Sequence, residues 1–425
     1  MHRPLADLVQ VNPPVALPAG VNALMPVSFV PMSDVTEAGE WSGSQVRALR
    51  EVRSGFTAFA EGDVLVAKIT PCFENGKGAH VAGLMNGVGF GSTEFHVLRA
   101  RDGTSARFVH HLVQSEALRR RGEAFMTGSA GQRRVPREFF GMFPAPDLSF
   151  NEQVALSRVL DTLDTTIRQT EAIIEKLEQV KQGLLHDLLT RGIDANGELR
   201  PPQSEAPHLY RDSPLGWIPR EWHVQRMANF MSAEITYGIV QAGPHIDGGV
   251  PYIRTGDMAG DRLNRASLLC TSRRIADSYR RSEVRAGDIV MAIRATVGKV
   301  LPVPPELDGA NLTQGTARLA PNRRTDGDFL LWAVRHQGAQ DSIQAEIKGT
   351  TFAEITLASL REVQLAAPMA TEEQHRIGLR VNSCEDRIGL EKRQVGKLRA
   401  LKSGLMDDLL TGRVRVTPLL EAAAA

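Results

Sequence analysis

The chain has few cysteines and no long apolar segment. Its 425 residues include three cysteines, Cys72, Cys270 and Cys384. They are single and widely spaced, which argues against a disulfide framework or a Cys-x-x-Cys zinc site and is typical of a reducing compartment. No stretch approaches the roughly 20 apolar residues of a membrane helix, and the first residues lack the apolar run of a signal peptide. We therefore expect a cytoplasmic protein without a membrane partner.

The chain also lacks an excess of positive charge. Its 50 Lys and Arg residues nearly balance 49 Asp and Glu residues, for a net charge of +1. A protein that binds DNA alone normally neutralises phosphates with a basic surface. Basic residues are nevertheless grouped, for example at Arg133-Arg134 and Arg323-Arg324, and arginine can bind guanine and phosphate through two parallel hydrogen bonds. These arginine pairs are either ordinary solvated surface residues or DNA contacts. In the second case, partner proteins would supply most of the remaining phosphate contacts.

Recognisable catalytic motifs are absent from the sequence. There is no P-loop, no His-Glu-x-x-His and no Gly-x-Ser-x-Gly. Asn12-Pro13-Pro14-Val15 lacks the aromatic residue with which amino-methyltransferases stack a flipped base. His110-His111 has no carboxylate or cysteine at metal-ligand spacing, so an interior or interfacial position is expected. The sequence thus predicts no catalytic and no metal site in this chain.

A long internal duplication is the main positive feature. Residues 152–190 and 373–411 superimpose without a gap at an offset of 221 residues, ending in Asp-Leu-Leu-Thr in both copies. The apolar series from Leu156 to Leu188 advances in alternating steps of four and three residues, and the series from Ile377 to Leu409 repeats it. This spacing predicts two coiled-coil helices. At 1.5 Å per residue, each would be roughly 58 Å long.

Polar residues interrupt both apolar series at the same steps. Lys181 and Lys402 fall at a positions of the heptad, and Thr170 and Glu391 fall at d positions. In an antiparallel pair, one register would place Lys181 opposite Glu391 and Thr170 opposite Lys402, leaving apolar layers elsewhere. A buried ion pair of this kind specifies a register more than it stabilises. The alternative is that both lysines extend independently to solvent.

The segments before the two helices are duplicated more loosely. Residues 61–68 resemble residues 286–293, each an apolar strand after a turn, and a Gly-rich loop at 128–132 corresponds to one at 349–352. We predict a mixed α/β fold in which two globular domains alternate with two long helices that pair as an antiparallel coiled coil, giving a pseudo-twofold repeat. The predicted domains are 1–150 and 209–370, the helical regions are 151–191 and 371–412, the linker is 192–208 and the tail is 413–425.

The order of domain, helix, domain and helix resembles the specificity (S) subunits of type I restriction-modification enzymes. The most specific elements are Glu152-Gln153 and Glu373-Gln374 at the helix starts, and Gly216-Trp217-Ile218-Pro219 before the second domain. The ends of the helices, Lys181-x-Gly-Leu-Leu-x-Asp-Leu-Leu-Thr and its copy, complete the resemblance. The first domain departs from the pattern because no Gly-Trp-Ile-Pro segment precedes it.

The resemblance implies a noncatalytic subunit that recognises DNA. Each globular domain would be a target recognition domain for one half of a bipartite site in double-stranded DNA, and the helices would set the spacing and dock the methyltransferase (M) subunits. S-adenosylmethionine, ATP and Mg²⁺ would be bound by the M and restriction (R) subunits, and no cofactor by this chain. A coiled-coil protein scaffold, or an autonomous DNA methyltransferase or nuclease, are the alternatives.

Candidate DNA-binding residues are polar side chains at strand ends and in Gly-rich turns, where a loop can enter a groove. Turn-stabilising hydrogen bonds are the alternative role for each of them. The candidates in the first domain are Lys68, Thr70, Asn75, Lys77, Gln132, Arg133 and Arg134. Those in the second domain are Arg294, Thr296, Lys299, Thr313, Gln314, Thr350 and Thr351.

Overall fold

The computed structural model describes residues 2–17, 21–41, 43, 45–129, 131–348 and 353–417. It comprises two compact units, Met1–Ala172 with Arg393–Ala425, and Ile173–Lys392. Among the described residues, no helix combines the length and the apolar character required to cross a membrane.

The first unit contains two four-stranded sheets. Apolar segments form the central strands, since these strands are covered on both faces. In the segment Val-Leu-Val-Ala at 64–67, for example, every residue is buried. The sheets have the orders β2-β9-β6-β7 and β4-β3-β8-β5, and β1 pairs with β10. The strands are β1 (His2–Pro4), β2 (Val9–Val11), β3 (Pro26–Val30), β4 (Gln45–Ala48), β5 (Thr57–Ala60), β6 (Val64–Ala67), β7 (Gly78–His80), β8 (Val88–Gly91), β9 (Phe95–Ala100) and β10 (Pro144–Pro146). The helices are α1 (Leu49–Val52), α2 (Ala106–Gln114), α3 (Glu116–Phe125), α4 (Arg137–Met142) and the first part of α5 (Phe150–Thr190).

The second unit has smaller sheets with related pairings. Its three-stranded sheets have the orders β15-β14-β18 and β17-β16-β19, while β11 pairs with β12 and β13 with β20. The strands are β11 (Tyr210–Arg211), β12 (Ile218–Pro219), β13 (Trp222–Arg226), β14 (Val250–Ile253), β15 (Cys270–Thr271), β16 (Ile289–Ala292), β17 (Val300–Pro302), β18 (Asn311–Leu312), β19 (Thr316–Leu319) and β20 (Gln364–Pro368). The helices are α6 (Arg273–Ser278), α7 (Gly327–Arg335), α8 (Gln337–Ala345), α9 (Leu357–Glu362) and α10 (Thr371–Leu410).

Equivalent elements have equivalent partners in the two units. Strand β6 lies antiparallel to β7 and β9, as β16 does to β17 and β19. The parallel pairs β3–β8 and β14–β18 also correspond. The predicted match between residues 61–68 and 286–293 thus falls on β6 and β16, and the mixed α/β fold class is confirmed.

The glutamines of the two Glu-Gln motifs attach the long helices to the globular parts. The buried side chain of Gln153 accepts a hydrogen bond from the Ser105 amide at 2.9 Å, where Ser105 is the N-cap of α2. In the second unit, Gln374 accepts from the amide of Asp326, the N-cap of α7, also at 2.9 Å. A glutamine at this position therefore satisfies a helix-end amide that would otherwise lack a partner.

Each unit buries the start of one long helix and the end of the other. The first core contains Leu156 and Leu160 of α5 with Leu409 and Leu410 of α10. The core of the second unit contains the equivalent residues, Ile377 and Val381 of α10 with Leu188 and Leu189 of α5. Each long helix is therefore stabilised by contacts in both units.

Ion pairs within each unit show that α5 and α10 run antiparallel. In the second unit Lys181 bonds Glu385 at 2.7 Å and Glu178 bonds Lys392 at 2.8 Å. In the first unit Lys402 contacts Asp164, and Glu171 bonds Arg399 at 2.6 Å. In both sets, the residue nearer the C-terminus of α5 pairs with the residue nearer the N-terminus of α10.

The predicted partners of the two seam lysines are wrong. Lys181 binds Glu385, not Glu391, whose carboxylate accepts from Arg387 on its own helix at 2.9 Å. Lys402 binds Asp164, not Thr170, whose hydroxyl donates to the Thr166 carbonyl at 2.8 Å. Glu385 and Asp164 lie one position beside the seam and keep partial hydration, with side chains 37% and 25% exposed. A long lysine side chain reaches such a carboxylate with a smaller desolvation cost than a pair fully inside the seam requires.

Candidate nucleic-acid interface

The fold brings two of the predicted loops of the first unit together. The backbone after β6 pairs with the loop after α3, since Ile69 and Arg134 form an antiparallel bridge. The Thr70 amide donates to the Arg133 carbonyl at 3.0 Å, and the Val135 amide donates to the Lys68 carbonyl at 2.9 Å. The candidates from residues 68–77 and 132–134 therefore share one edge of the unit.

The second unit repeats this arrangement after β16. Arg294 and Glu354 form an antiparallel bridge that is equivalent to the bridge between Ile69 and Arg134. The Ala295 amide donates to the Ala353 carbonyl at 3.0 Å, which continues the same short ladder. Thr350 and Thr351 belong to this second loop but lie outside the described residues.

In each unit the bridge residue that follows the Gly-rich loop forms an ion pair, but this residue is basic in the first unit and acidic in the second. In the first unit Arg134 binds the Glu94 carboxylate through Nη2 at 2.8 Å and Nε at 3.0 Å. These hydrogen bonds lower the pKa of the Glu94 carboxyl. In the second unit the equivalent of Arg134 is Glu354, whose carboxylate forms an ion pair with the Arg294 guanidinium at 2.9 Å. Arg134 and Arg294 therefore already have an internal partner, and either would have to keep or exchange it on binding a phosphate or base.

Several candidates of the first unit have hydrogen bonds typical of turn residues. Thr70 donates to Glu74, and the Asn75 side chain donates to Glu37 at 2.8 Å. Lys77 Nζ lies 3.4 Å from the Met32 carbonyl oxygen. These contacts order the turn after β6.

Two side chains of the first unit are less constrained. Gln132 is exposed, and the Arg133 guanidinium lies 3.8 and 3.9 Å from the carboxylates of Glu74 and Glu123. Distances this long indicate weak ion pairs rather than direct hydrogen bonds. Lys68 is half-buried at the end of β6. Gln132 and Arg133 are consequently the most available groups of this candidate set.

The candidates of the second unit also include residues held by hydrogen bonds and residues that are exposed. Thr313 donates to the Ile253 carbonyl at 3.2 Å, and Lys299 donates to the Ala259 carbonyl at 2.7 Å. Thr296 and Gln314 are exposed. Thr296 follows β16, and Gln314 follows β18, so both exposed side chains lie beside the bridge formed by Arg294.

A side-chain contact that was not predicted from the sequence fixes α2 and α7 to the long helices. His111 Nε2 lies 2.8 Å from Asp161 Oδ1, and the equivalent Trp332 Nε1 donates to Asn382 Oδ1 at 2.7 Å. Burial alone would raise the pKa of the Asp161 carboxyl, but hydrogen bonds from His111 and Arg107 hold it well below its usual value. The offset of 221 residues relates both pairs and was the only sequence signal for them.

His111, Asp161 and Asp164 place one potential ligand atom each within 4.8 Å of one another. Three such ligands could hold a transition-metal ion. However, Arg107 contacts Asp161 and Lys402 contacts Asp164, so both carboxylates are already neutralised by a cation. The donor set fits an ion-pair network better than a metal centre.

Comparison with known proteins identifies related sequences and folds. Residues 221–399 match the family model described as type I restriction modification DNA specificity domain. The EcoEI specificity subunit of Escherichia coli is 34% identical over 43% of this chain and 32% of its own length. The putative MjaX specificity subunit of Methanocaldococcus jannaschii is 25% identical over 64% of this chain and 59% of its own length. The matched part thus spans about a third of the Escherichia coli relative.

Solved structures share the fold over nearly the whole chain. The S subunit of a type I restriction-modification system from M. genitalium superimposes with a TM-score of 0.57 and 14% sequence identity, covering 96% of both chains. A chain from a structural study of type I system assembly and conformational transition gives a TM-score of 0.53 at 18% identity. At these identities the likeness establishes the fold.

Proposed function

We propose that this chain is the noncatalytic DNA-recognition subunit of a type I restriction-modification complex, because residues 221–399 match the type I restriction modification DNA specificity domain and the chain is similar to the EcoEI specificity subunit. The observation that carries the proposal is the paired loop at the end of β6, bridged at Ile69 and Arg134, and its counterpart at the end of β16, bridged at Arg294 and Glu354. Equal scaffolds with different side chains suit two surfaces that read different sequences.

Each unit reads one half of a bipartite site in double-stranded DNA. The support is that Gln132 and Arg133 in the first unit, and Thr296 and Gln314 in the second, lie on equivalent edges with exposed or weakly paired polar groups. Amide and guanidinium groups can form paired hydrogen bonds with adenine and guanine edges. The different side chains imply different half-sites.

The paired helices set the distance between half-sites and dock M subunits. Two domains that contact the same face of a duplex must be separated by a nearly whole number of helical turns, each about 34 Å long. The 41 residues of α5 and the 40 of α10 supply a rigid element of that scale, since a helix rises about 1.5 Å per residue. S-adenosylmethionine, ATP and Mg²⁺ act in the partner M and R subunits.

Exchange of one domain tests the proposal directly. Residues 209–370 would be replaced by the equivalent domain of a relative, and methylated adenines would be mapped across the host genome with the parent, the exchanged gene and no gene. We expect methylation to depend on the gene and only one half-site to change. A change in both half-sites contradicts independent reading. Failure of the chain to bind any duplex in the presence of its partner subunits would favour the protein-scaffold alternative.

A further inference from the structure

Four ion pairs between α5 and α10 occupy two sets of equivalent positions. Lys181–Glu385 in the second unit corresponds, at the offset of 221 residues, to Lys402–Asp164 in the first. Both pairs join a seam lysine to a flanking carboxylate, so the sign of the charge at each position is the same in both copies. We call these the inner pairs.

The other two ion pairs are equivalent in position but reversed in charge. Glu178 of α5 binds Lys392 of α10, whereas the equivalent of Glu178 is Arg399, which binds Glu171. We call these the outer pairs. On α5 both outer positions are acidic, and on α10 both are basic.

The reversal would affect pairs of like helices and pairs of unlike helices differently. In an antiparallel pair of two α5 helices from different copies, the same geometry would place Glu171 opposite Glu178, while Asp164 and Lys181 would still attract. Two α10 helices would place Lys392 opposite Arg399. Like charges at such positions destabilise by amounts similar to the gain from opposite charges. Among these four ion pairs, the inner pairs therefore tolerate like helices, and the outer pairs discriminate against them.

We propose that the outer pairs act as a selection device that directs α5 to pair with α10 and rejects a second copy of the same helix. Without them, the repeated seam would make both combinations similar, because the apolar and inner positions are duplicated in both helices. The preferred partner of each helix is consequently the other helix of the chain, and helix exchange between copies is suppressed. The outer side chains are 40% to 67% exposed, so each pair alone contributes little to stability.

A double charge exchange separates selection from stability. Glu178→Lys together with Lys392→Glu keeps both outer pairs within the chain attractive. It also makes each like-helix contact attractive, since the new lysine at 178 would face Glu171 and the new glutamate at 392 would face Arg399. Ile173, 48% exposed, lies near the centre of a like-helix pair of α5, so Ile173→Cys provides a disulfide trap for that pair. The full chain would be refolded under oxidising conditions and disulfide-linked dimers measured on non-reducing gels.

We expect the double exchange to increase the cross-linked dimer about tenfold over Ile173→Cys alone, because both outer contacts of a like-helix pair of α5 change from repulsive to attractive. The matched control is Arg226→Glu with Glu362→Arg, which exchanges an ion pair of similar exposure, 62% and 59%, between β13 and α9. It should leave the dimer fraction unchanged. The proposal is overturned if the double exchange gives the same dimer fraction as Ile173→Cys alone, or if the control increases it equally. Chains without the Ile173→Cys change provide the background from Cys72, Cys270 and Cys384.

Discussion

His111 Nε2 lies 2.8 Å from Asp161 Oδ1 at the repeat position where Trp332 Nε1 donates to Asn382 at 2.7 Å. Both bonds join a short helix of a globular part, α2 or α7, to a long helix. The second pair is neutral at every ordinary pH, whereas the first contains a carboxylate and an imidazole. The contact between the short helix and the long helix therefore contains titratable groups in the first unit but not in the second.

Replacement of Asp161 should destabilise the first unit more than the reciprocal change destabilises the second. Asp161→Asn removes the charge that holds Arg107 and His111, with an expected loss of about 1–3 kcal/mol at neutral pH. Asn382→Asp is the matched control, because Trp332 can still donate to the new side chain. Urea unfolding of the full chain measures both. Since the pKa of Asp161 is lowered in the folded protein, its contribution is present above pH of about 4 and disappears as the pH falls further. Equal losses for both variants at neutral pH would contradict this role.

Acidification below a pH of about 6.5 should destabilise the first unit through His96. Burial lowers the pKa of His96, although its hydrogen bond to the Val135 carbonyl at 2.9 Å acts in the opposite direction. A histidine with a lowered pKa binds more protons unfolded than folded, so stability is complete above the unfolded value and falls as the pH drops through it. His96→Gln should be less stable at pH 7.5 but have a flatter dependence between pH 7 and pH 5. An unchanged slope in unfolding measurements would show that His96 does not contribute.

A double-mutant cycle should couple Lys181 with Glu385. Their 2.7 Å contact is partly exposed, at 17% and 37%, so we expect a coupling of about 0.5–1 kcal/mol from Lys181→Met and Glu385→Gln. The matched cycle pairs Lys181→Met with Glu391→Gln, because Glu391 binds Arg387 instead, and should give a coupling near zero. Coupling to Glu391 alone would restore the register predicted from the heptads.

Arg133 and Arg134 should respond differently to substitution by alanine. Arg134 has two short hydrogen bonds to Glu94, so Arg134→Ala should lower thermal stability by leaving that carboxylate unpaired. Arg133 has only distant carboxylates, so Arg133→Ala should preserve stability and weaken DNA binding by the assembled complex.

The form of the binding loss identifies the contact that Arg133 makes. A base contact costs about 1–3 kcal/mol and relaxes one base position, whereas a phosphate contact weakens all sites and reduces the salt dependence. Arg133→Lys distinguishes a paired guanidinium contact from simple charge. A stable Arg133→Ala variant with unaltered affinity and salt dependence would remove Arg133 from the interface.

The sequence by itself determined the fold class and the alternation of globular segments with long helices. Heptad spacing marked α5 and α10, with helix starts near Glu152 and Glu373, because helical periodicity and end signals are local properties. The Glu-Gln motif also identified residues with a shared structural role, since Gln153 and Gln374 cap α2 and α7 in the same way. The boundaries of the recognition domains and the roles of individual DNA-binding residues remain predictions.

Only the tertiary structure decided which polar groups are partners. A heptad pattern specifies which positions face inward, but it does not specify which carboxylate each seam lysine reaches, and the partners are the flanking residues Glu385 and Asp164. Likewise, Arg133 and Arg134 are neighbours of one type in the sequence, yet one is held by Glu94 and the other is not. Hydrogen-bond partners come from distant segments, and their geometry is fixed only when these segments pack together.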